Sequence, residues 1–369
     1  MNIIVSGGGT GGHIYPAITL IRTLQKKVPD ARFLYVGTKR GLESDIVPKE
    51  GLPFETIDLQ GFERHFTVDN FRRAAKAMLG VAKARHVVKH FHPDAAIGTG
   101  GYVCGPILLA ASLAGVPTLI QEQNVVPGIT NKILSHFVTK IAAGTEDAVQ
   151  HFPKEKTVFT GNPIRREVLT AQKEDGLREY GFSADKPVVL VSGGSRGARS
   201  LNCAMVGVLK EAQKHPEVQF LHATGKGEYD AQMQRLADAG VDLASAPHIQ
   251  VKPYLYNMPQ AMAMADLAIF RAGATGLAEL TARGIPAILV PYPYAAENHQ
   301  EHNARACETA GAARMILDRE LTSERLGSVL MELFSEPGKL QAMAAASKAM
   351  GRPEAADTIA DMVIDMQKK

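Results

Sequence analysis

One arrangement of residues occurs twice in this chain of 369 residues, and it restricts the possible fold more than any other feature. The apolar run Asn2–Ser6 leads into the glycine-rich turn 7–12 and then into a helical pattern, and the run 187–192 leads likewise into the turn 193–198. Two more pairs of segments follow in the same order, 94–97 with 266–269 and 115–120 with 284–289. Strands that alternate with helices form right-handed βαβ units and parallel sheets. The repeat predicts an α/β protein with two Rossmann-like, doubly wound parallel-sheet domains that face an interdomain cleft.

The boundary between these domains is predicted near Gly161-Asn162-Pro163, where glycine and proline interrupt the chain. An N-terminal domain then covers residues 1–162, and a C-terminal domain covers residues 163–349. The segment from about 350 to 369 has an apolar helical face formed by Ile359, Met362, Val363 and Met366. This face allows the last helix to pack back on the N-terminal domain.

Charge and cysteine content restrict the class of protein. The formal net charge is only +3, so no nucleic-acid partner is expected. Cys104, Cys203 and Cys307 lie far apart without metal-ligand spacing, which favours buried thiols in a reducing compartment. The N-terminus enters a strand without a signal sequence, and glycine and proline interrupt the uncharged stretch 95–121. We therefore expect a soluble cytoplasmic protein without a membrane span.

Both glycine-rich turns are suited to binding phosphate. Each joins a strand to a helix N-terminus, where backbone N–H groups and the helix dipole attract anions, and Thr10 and Ser195 add hydroxyl groups at matching positions. Neither turn has the GxxxxGK[ST] pattern of a P-loop. The first turn satisfies the dinucleotide fingerprint, but no acid ends the second strand at 32–36, which disfavours an NAD enzyme. An NADP-dependent oxidoreductase remains an alternative. A second alternative is that the glycines only form tight turns and bind no ligand.

A series of motifs surrounds the two turns. In chain order they are Gly8-Gly9-Thr10-Gly11-Gly12-His13-Ile14-Tyr15-Pro16-Ala17, Gly100-Gly101-Tyr102, Glu122-Gln123-Asn124, Gly161-Asn162-Pro163-Ile164-Arg165, Gly193-Gly194-Ser195-Arg196-Gly197-Ala198, Arg271-Ala272-Gly273-Ala274-Thr275 with Glu279, and Asn298-His299-Gln300 before Asn303. The set resembles glycosyltransferase family 28, the GT-B enzymes that add N-acetylglucosamine (GlcNAc) to undecaprenyl-diphospho-muramoylpentapeptide (lipid I). The resemblance covers most of the chain.

The resemblance first implies that the two domains bind different substrates. The acceptor lipid I would bind the N-terminal domain, with Thr10, Gly11 and Gly12 facing it, and UDP-GlcNAc would bind the C-terminal domain. Ser195 would contact the diphosphate, and the backbone of Leu255 would bind the edge of the uracil. The nucleotide would lie against one segment, namely Ala274, Thr275, Gly276, Leu277, Ala278 and Glu279.

Polar side chains complete the implied substrate site. Glu279 would accept hydrogen bonds from the ribose hydroxyls, because a carboxylate suits a diol. Gln300 and His299 would bind the hydroxyls of GlcNAc, while Asn124 and Arg165 would face the cleft. Each of these has a simpler alternative: Glu279 as a surface acid, Arg165 as a linker charge, and the His299–Gln300 pair as the cap of a loop.

The implied reaction is an inverting attack of the C4 hydroxyl of the muramoyl sugar on the anomeric carbon of GlcNAc. His13 is the first candidate base; alternatively it only binds the acceptor. Glu122 is the second candidate. Donors of the second turn, with Arg165 or Arg196, would stabilise the departing UDP. Since no acidic cluster such as DxD lies near either turn, we expect no metal and no other cofactor.

A basic segment predicts contact with a membrane. Residues 64–89 contain seven Lys or Arg and one acid, Asp69. Apolar residues recur there at helical spacing, namely Phe71, Ala74, Ala75, Met78, Leu79 and Ala82. Such a helix favours weak, salt-sensitive binding to the anionic cytoplasmic membrane surface, and hence a peripheral position on the plasma membrane. The alternative is an ordinary domain helix. The resemblance also implies that other proteins of cell-wall synthesis and cell division are binding partners.

Several other functions are compatible with the sequence. They are another lipid glycosyltransferase, a UDP-GlcNAc 2-epimerase, an NADP-dependent oxidoreductase and a two-lobed binding protein without catalytic activity. The motifs Gly100-Gly101-Tyr102 and Glu122-Gln123-Asn124 favour the lipid I-dependent transferase over the other GT-B enzymes.

Overall fold

The computed structural model of the chain describes residues 1–57 and 70–368. The chain forms two compact units. The first contains Met1–Ile164 together with Pro353–Lys369, and the second contains Arg165–Arg352. Each unit is built around its own parallel sheet.

The strands are short and lie between helices along the whole chain. They are β1 (Asn2–Gly7), β2 (Arg32–Gly37), β3 (Phe54–Thr56), β4 (Ala95–Gly100), β5 (Thr118–Glu122), β6 (Lys140–Ala143), β7 (Thr157–Phe159), β8 (Val188–Ser192), β9 (Gln219–Ala223), β10 (Ile249–Lys252), β11 (Leu267–Phe270), β12 (Ala287–Leu289) and β13 (Ala313–Met315). In the described residues the first sheet has the order β3-β2-β1-β4-β5-β6-β7 and the second the order β10-β9-β8-β11-β12-β13. Both orders are those of doubly wound sheets, whose ligands bind at the carboxyl ends of the strands.

Helices connect the strands. They are α1 (Gly11–Lys27), α2 (Glu43–Lys49), α3 (Asn70–Phe91), α4 (Cys104–Leu113), α5 (Ile129–Leu134), α6 (Glu146–Val149), α7 (Arg166–Thr170), α8 (Lys173–Tyr180), α9 (Arg199–Ala212), α10 (Tyr229–Asp238), α11 (Met258–Met264), α12 (Ala274–Arg283), α13 (His299–Thr309), α14 (Ser323–Ser335), α15 (Lys339–Met350) and α16 (Ala355–Asp365). Short 3-10 helices cover Lys154–Lys156, Ala296–Asn298, Asp318–Glu320 and Met366–Lys368.

The inner strands β1 and β8, the first of each sheet along the chain, are buried on both faces. Ile3 and Val5 of β1 pack into one hydrophobic cluster with α1 and α16, whereas Ile4 packs into a second cluster with α3 and α4. In β8, Val189 and Val191 alternate with Leu190 in the same way. Alternation follows because successive side chains of a strand point to opposite faces. Each unit therefore has three layers, with helices on both faces of the sheet.

The last helix belongs to the first unit. Ile359 and Val363 of α16 are fully buried in the cluster that contains α1. Nζ of Lys27 lies 2.9 Å from Oδ1 of Asp361 at the edge of this contact, and the pairing raises the pKa of Lys27. The apolar face thus anchors the end of the chain on the unit in which the chain began.

The internal repeat is visible in equivalent contacts. Asp94 accepts a hydrogen bond from the N–H of Asn2 at 2.7 Å, and Asp266 accepts one from the N–H of Val188 at 2.9 Å. Each carboxylate therefore holds the start of an inner strand, β1 or β8. Gly115 and Gly284, with φ of 76° and 72°, follow the equivalent helices α4 and α12. The predicted α/β class with two parallel sheets is confirmed.

Part of the predicted membrane segment lies outside the described residues. This applies to residues 64–69 and to the side chains of Phe71, Ala74, Ala75, Met78 and Leu79. In the described end of α3, Ala82 is exposed, while Val87 and Val88 pack against the sheet. The uncharged stretch 95–121 forms β4, α4 and most of β5. Within residues 1–57 and 70–368, no helix has the combination of length and apolar character needed to cross a bilayer.

Candidate functional site

The first glycine-rich turn lies at the carboxyl end of β1 and leads directly into α1. Gly9 has a φ of 84°, a left-handed conformation that favours glycine. Thr10 is exposed and immediately precedes the helix, but its side chain does not cap it. Among the described residues, the N–H groups of Gly11 and Gly12 have no hydrogen-bond partner. This helix start therefore presents two N–H donors to solvent.

His13 is held by a carbonyl of the same turn. Its Nδ1 lies 2.9 Å from the carbonyl oxygen of Gly8. Because a carbonyl only accepts hydrogen bonds, Nδ1 carries the proton in the neutral ring and Nε2 carries the lone pair. Gly100, with a φ of 105°, makes room for the ring, since a Cβ there would lie 3.0 Å from Nε2. The imidazole thus has the tautomer that a base acting through Nε2 requires.

Glu43, which the sequence analysis did not identify, lies beneath the first turn. Its side chain is fully buried at the start of α2. Oε2 accepts a hydrogen bond from the N–H of Gly9 at 3.0 Å, and Oε1 accepts from the N–H and the hydroxyl of Thr38 at 3.1 and 2.8 Å. No acid ends β2, but Glu43, six residues beyond Gly37, places a carboxylate next to the first turn. It binds the chain's own backbone.

Glu122 has a structural role that its candidacy as a base did not anticipate. The carboxylate is 2% exposed. Oε1 accepts from the N–H and the amide of Asn124, at 3.0 and 3.1 Å, and Oε2 accepts from the N–H of Gly128 and the amide of Asn131, at 3.1 and 2.8 Å. Four donors occupy both oxygens. The expectation of Glu122 as a base therefore does not fit the geometry; it orders the loop that carries Asn124.

The second glycine-rich turn lies at the carboxyl end of β8 but differs from the first. It closes with a hydrogen bond from the N–H of Gly197 to the carbonyl of Gly194, at 2.9 Å. The helix α9 begins only at Arg199, so the exposed Ser195 precedes it by four residues. Thr10 directly precedes its helix. The expectation of matching positions for the two hydroxyls is therefore wrong, because the second turn contains an extra β-turn before the helix.

A neutral polar network supports the second turn from inside. A Cβ at Gly197 would lie 1.9 Å from the carbonyl oxygen of Thr224, so only glycine fits this approach. The same carbonyl accepts a hydrogen bond from the amide of Asn202 at 3.0 Å, and Oδ1 of Asn202 lies 3.0 Å from Nε2 of His222. Complete burial lowers the pKa of His222 to about 3. The imidazole is therefore neutral and donates through Nε2.

The helix α12 begins with half-buried residues whose backbone donors have no side-chain cap. Gly273 precedes it without a side-chain cap, and the first turn contains no acid. The hydroxyl oxygen of Thr275 is buried there without a hydrogen-bond partner among the described residues. A helix start of this kind, at the end of β11, attracts phosphate or a polar sugar.

Glu279 and Arg165 form an ion pair on the same helix. Nε and Nη2 of Arg165 donate to Oε1 of Glu279 at 3.1 and 2.9 Å. Burial raises the pKa of Glu279, and the nearby guanidinium offsets part of that rise. The surface-acid and linker-charge alternatives are excluded for this pair, because Glu279 is only 5% exposed. Both donors bind Oε1, which leaves Oε2 as the oxygen with capacity for another hydrogen bond.

Gln300 and His299 stand at the start of α13, after two residues in a left-handed conformation. Glu297 and Asn298 have φ of 51° and 50°. Oε1 of Gln300 accepts from the N–H of Tyr292 at 2.9 Å, and its Nε2 lies 4.0 Å from the position of a Cβ on Gly273. Nδ1 of His299 lies 2.6 Å from the carbonyl oxygen of Ala296. Gln300 therefore lies close to the start of α12, while His299 binds its own loop.

The remaining predicted residue, Leu255, lies in the loop between β10 and α11. Its side chain is buried in the core, as expected for a residue that would use only its backbone. Arg271 was not predicted as a site residue, yet it fixes the neighbouring loop. It donates to the carbonyls of Val290 and Pro291 at 3.1 and 3.2 Å and pairs with Asp318 at 2.6 Å. No group of three His, Cys, Asp or Glu suited to a metal occurs among the described residues.

Comparison with known proteins relates these sites to a family. Residues 3–143 match the glycosyltransferase family 28 N-terminal domain, and residues 188–359 match the family 28 C-terminal domain. The chain belongs to glycosyltransferase family 28. The oxidoreductase alternative is thereby replaced, and the fold is that of the two-domain family enzymes.

Similar proteins match this chain over nearly its whole length. A UDP-N-acetylglucosamine–N-acetylmuramyl-(pentapeptide) pyrophosphoryl-undecaprenol N-acetylglucosamine transferase from Desulforamulus reducens is 48% identical over 97% of both chains. Its namesake from Listeria welshimeri is 46% identical over 100% of both. The crystal structure of MurG from Acinetobacter baumannii has a TM-score of 0.78 at 29% identity and covers 99% of both chains. A UDP-GlcNAc 2-epimerase from Neisseria meningitidis, with a TM-score of 0.70 at 14% identity over 99% of this chain and all of the other, shares only the fold.

Proposed function

We propose that this family 28 enzyme transfers GlcNAc from UDP-GlcNAc to the C4 hydroxyl of lipid I, with inversion, to give lipid II for peptidoglycan synthesis. The observation that carries the proposal is the identity of 48% over 97% of the chain to a transferase named for this reaction. The arrangement of donors at the carboxyl end of the second sheet supports it.

UDP-GlcNAc would bind the C-terminal domain, residues 163–349. The exposed hydroxyl of Ser195 and the N–H groups of its turn are suited to the diphosphate, because neither the turn nor the start of α12 contains an acid. Oε2 of Glu279 would accept from a ribose hydroxyl while Arg165 holds the carboxylate in place. Gln300, beside Gly273, would bind GlcNAc, and the backbone of Leu255 would bind uracil.

Lipid I would bind the N-terminal domain, residues 1–162. Nε2 of His13 would accept the proton of the C4 hydroxyl as that oxygen attacks the anomeric carbon. Its lone pair is available because Nδ1 donates to the carbonyl of Gly8. The N–H groups of Gly11 and Gly12 and the hydroxyl of Thr10 would contact the acceptor, and Asn124 would be placed by Glu122.

The negative charge that develops on UDP would be stabilised by fixed protein donors. Such donors are already oriented before the reaction, so they cost no reorganisation in the transition state. The Ser195 hydroxyl and the backbone of its turn belong to this group. We propose that they replace a divalent cation and that the enzyme uses no cofactor.

The acceptor's lipid requires contact with a membrane, and an exposed apolar patch supports a peripheral position on its cytoplasmic face. Leu113, Ile129, Ile133 and Phe137 are 64%, 70%, 58% and 47% exposed. Ser112 donates to the carbonyl of Phe137 at 2.6 Å, which joins the end of α4 to the turn after α5. Four large apolar side chains in one area exceed the scattered exposure of an ordinary surface. Association with other cell-wall synthesis and division proteins stays a prediction.

The test is release of UDP from UDP-GlcNAc in the presence of a lipid I analogue, with and without EDTA. We expect acceptor-dependent release that EDTA does not abolish, and a product extended by one GlcNAc. Absence of release with a competent acceptor would refute the proposal, and loss of activity in EDTA would refute its metal-free form. Formation of UDP-ManNAc without acceptor would indicate an epimerase. Co-sedimentation with vesicles should rise with anionic lipid and fall with salt.

A further inference from the structure

Both ends of one peptide group, between Gly8 and Gly9, are occupied by functional side chains. Its carbonyl oxygen accepts the proton on Nδ1 of His13 at 2.9 Å, and its N–H donates to Oε2 of Glu43 at 3.0 Å. A carboxylate, a peptide group and an imidazole therefore form one chain of hydrogen bonds. Glu43 is fully buried, and its other oxygen is held by Thr38.

We propose that Glu43 is a positioning residue for His13 and acts through the Gly8–Gly9 peptide group, which it holds with the carbonyl facing Nδ1. The proposal rests on the function proposed above only for the role of His13 in the reaction. The hydrogen-bond chain itself does not depend on any substrate.

The need for such a residue follows from the two glycines. A peptide group between glycines can rotate at low cost, because neither residue has a Cβ to restrict its dihedral angles. Rotation would turn the carbonyl away from His13 and present an N–H, which cannot accept a proton from Nδ1. The ring would then favour the tautomer with the proton on Nε2, and the lone pair would face the wrong way. By binding the N–H of Gly9, Glu43 opposes that rotation.

The charge of Glu43 strengthens its effect on the Gly8–Gly9 peptide group. A carboxylate that accepts from a peptide N–H polarises the group, so the carbonyl at its other end becomes a better acceptor. The effect is larger in a buried site, where the dielectric constant is low. In serine hydrolases an aspartate orients the catalytic histidine directly and fixes its tautomer. Here one peptide group lies between the acid and the ring.

Within the described residues, few other groups contact the series of hydrogen bonds that joins Glu43 to His13. The hydroxyl of Thr10 lies 3.5 Å from Nδ1 of His13, too far to replace the carbonyl. The hydroxyl of Tyr102 lies 3.2 Å from that of Thr38, and the hydroxyl of Tyr35 donates to the carbonyl of Gly7 at 2.6 Å. Burial raises the pKa of Tyr35 well above its usual value, so this phenol stays neutral. Glu43 is the one carboxylate that binds the turn in the described structure.

The experiment compares the full-length protein with Glu43→Gln, which keeps the size of the side chain but removes its charge and one acceptor. Proteins labelled with ring-¹⁵N histidine report the tautomer of each imidazole, and His13→Gln identifies the signal of His13 among the 12 histidines. Asp45→Asn is the matched control. Asp45 lies on the same helix but is exposed, and its partner among the described residues is Lys49 at 2.8 Å.

We expect the neutral ring of His13 to carry its proton on Nδ1 in the wild type and in Asp45→Asn. In Glu43→Gln the Nε2–H tautomer should become populated. The kcat should fall about 10–100-fold, as when the hydrogen-bond partner of a metal-bound histidine is removed, while KM for UDP-GlcNAc changes less than about two-fold. This split separates loss of base orientation from general loss of structure.

Two results would overturn the proposal. One is an Nε2–H tautomer in the wild-type protein, which needs no variant and is decisive even if Glu43→Gln does not fold. The other is a folded Glu43→Gln with an unchanged Nδ1–H signal. The tautomer is measured without substrate, so it does not depend on the reaction. If the wild-type protein showed no transferase activity while Glu43→Gln showed the expected change of tautomer, the proposed function would be contradicted. The positioning role of Glu43 would stand.

Discussion

The two glycine-rich turns come from the same repeat but are electrostatically different. Beneath the first turn lies a buried carboxylate, Glu43, which binds the N–H of Gly9. Beneath the second lies a neutral histidine, His222, whose network reaches the turn through Asn202 and Thr224. The first turn binds a carboxylate of its own chain, whereas among the described residues no carboxylate binds the second turn.

This difference suits the two turns to different chemical tasks. Phosphate binding needs N–H groups without a competing negative charge, because two anions close together repel each other. The second turn meets that condition. In the first turn the carboxylate orients a peptide group and, through it, His13, which suits proton transfer better than phosphate binding. A glycine pattern alone does not distinguish these uses.

The largest effect is expected from His13→Ala. Removing a general base lowers kcat by about 10²–10⁴-fold, since the C4 hydroxyl must then lose its proton to water. Affinity for UDP should stay within about two-fold, because the change is confined to the acceptor side. Steady-state kinetics and UDP titration measure both quantities, with exposed His215→Ala as the control. Near-normal turnover would remove His13 from the reaction and with it the functional contrast between the turns.

A smaller effect is expected from Glu279→Gln, on the donor side. Hydrogen bonds to a charged group contribute about 1.5–3 kcal/mol, so KM for UDP-GlcNAc should rise roughly 10–150-fold when the carboxylate is neutralised. The kcat should change much less, because the ribose is bound equally in the ground and transition states. Titration with uridine and with UDP should show similar losses. Exposed Glu211→Gln, which loses surface pairs with Lys214 and His215, should leave KM unchanged.

Ser195→Ala tests the second turn more narrowly. In the proposed site the hydroxyl is one of several donors to the diphosphate, so about a ten-fold loss in kcat/KM is expected, near the lower end for one charged hydrogen bond. The loss should appear with UDP but not with uridine, which lacks the phosphates. Isothermal titration with the two ligands measures this difference. Equal losses for both ligands would argue that the turn does not bind phosphate.

The smallest effect concerns the neutrality of His222. Because burial lowers its pKa to about 3, the folded chain leaves the ring neutral where the unfolded chain, with an ordinary pKa near 6.5, protonates it. Between those values the unfolded state binds more protons, so stability falls as the pH falls, by about 1.4 kcal/mol per unit from this group.

Urea unfolding at pH 4.5 and 5.5 measures this slope. His222→Gln should unfold with a pH dependence weaker by about 1.4 kcal/mol over that unit, whatever its absolute stability. The exposed His151→Gln serves as the control for loss of a surface histidine. An unchanged slope in His222→Gln would mean that the second turn is not supported by a neutral ring, and the electrostatic contrast with Glu43 would weaken.

Much of the fold was predictable because periodicity and glycine placement act locally. The runs beginning at Asn2 and at 187 were predicted as strands, and each forms an inner strand of a parallel sheet. Membership of family 28, expected from the motifs, is confirmed by the comparisons. The domain limits and the roles of the site residues stay predictions.

The failures had a common cause. Glu122 resembles a base in sequence, yet loop folding surrounds it with four donors. The similarity of Thr10 and Ser195 in sequence hid a β-turn that separates Ser195 from its helix. In each case the deciding contact joins residues whose neighbourhood depends on how the backbone turns after a strand.

By itself, the sequence determined the repeat, the parallel α/β class, the place of both glycine-rich turns and the family, because these depend on spacing along the chain. Only the tertiary structure decided what lies beneath each turn. Glu43 reaches Gly9 across 34 positions, and His222 reaches Asn202 across 20. Parallel strands bring such distant residues to one edge, and burial there makes a charge or its absence effective.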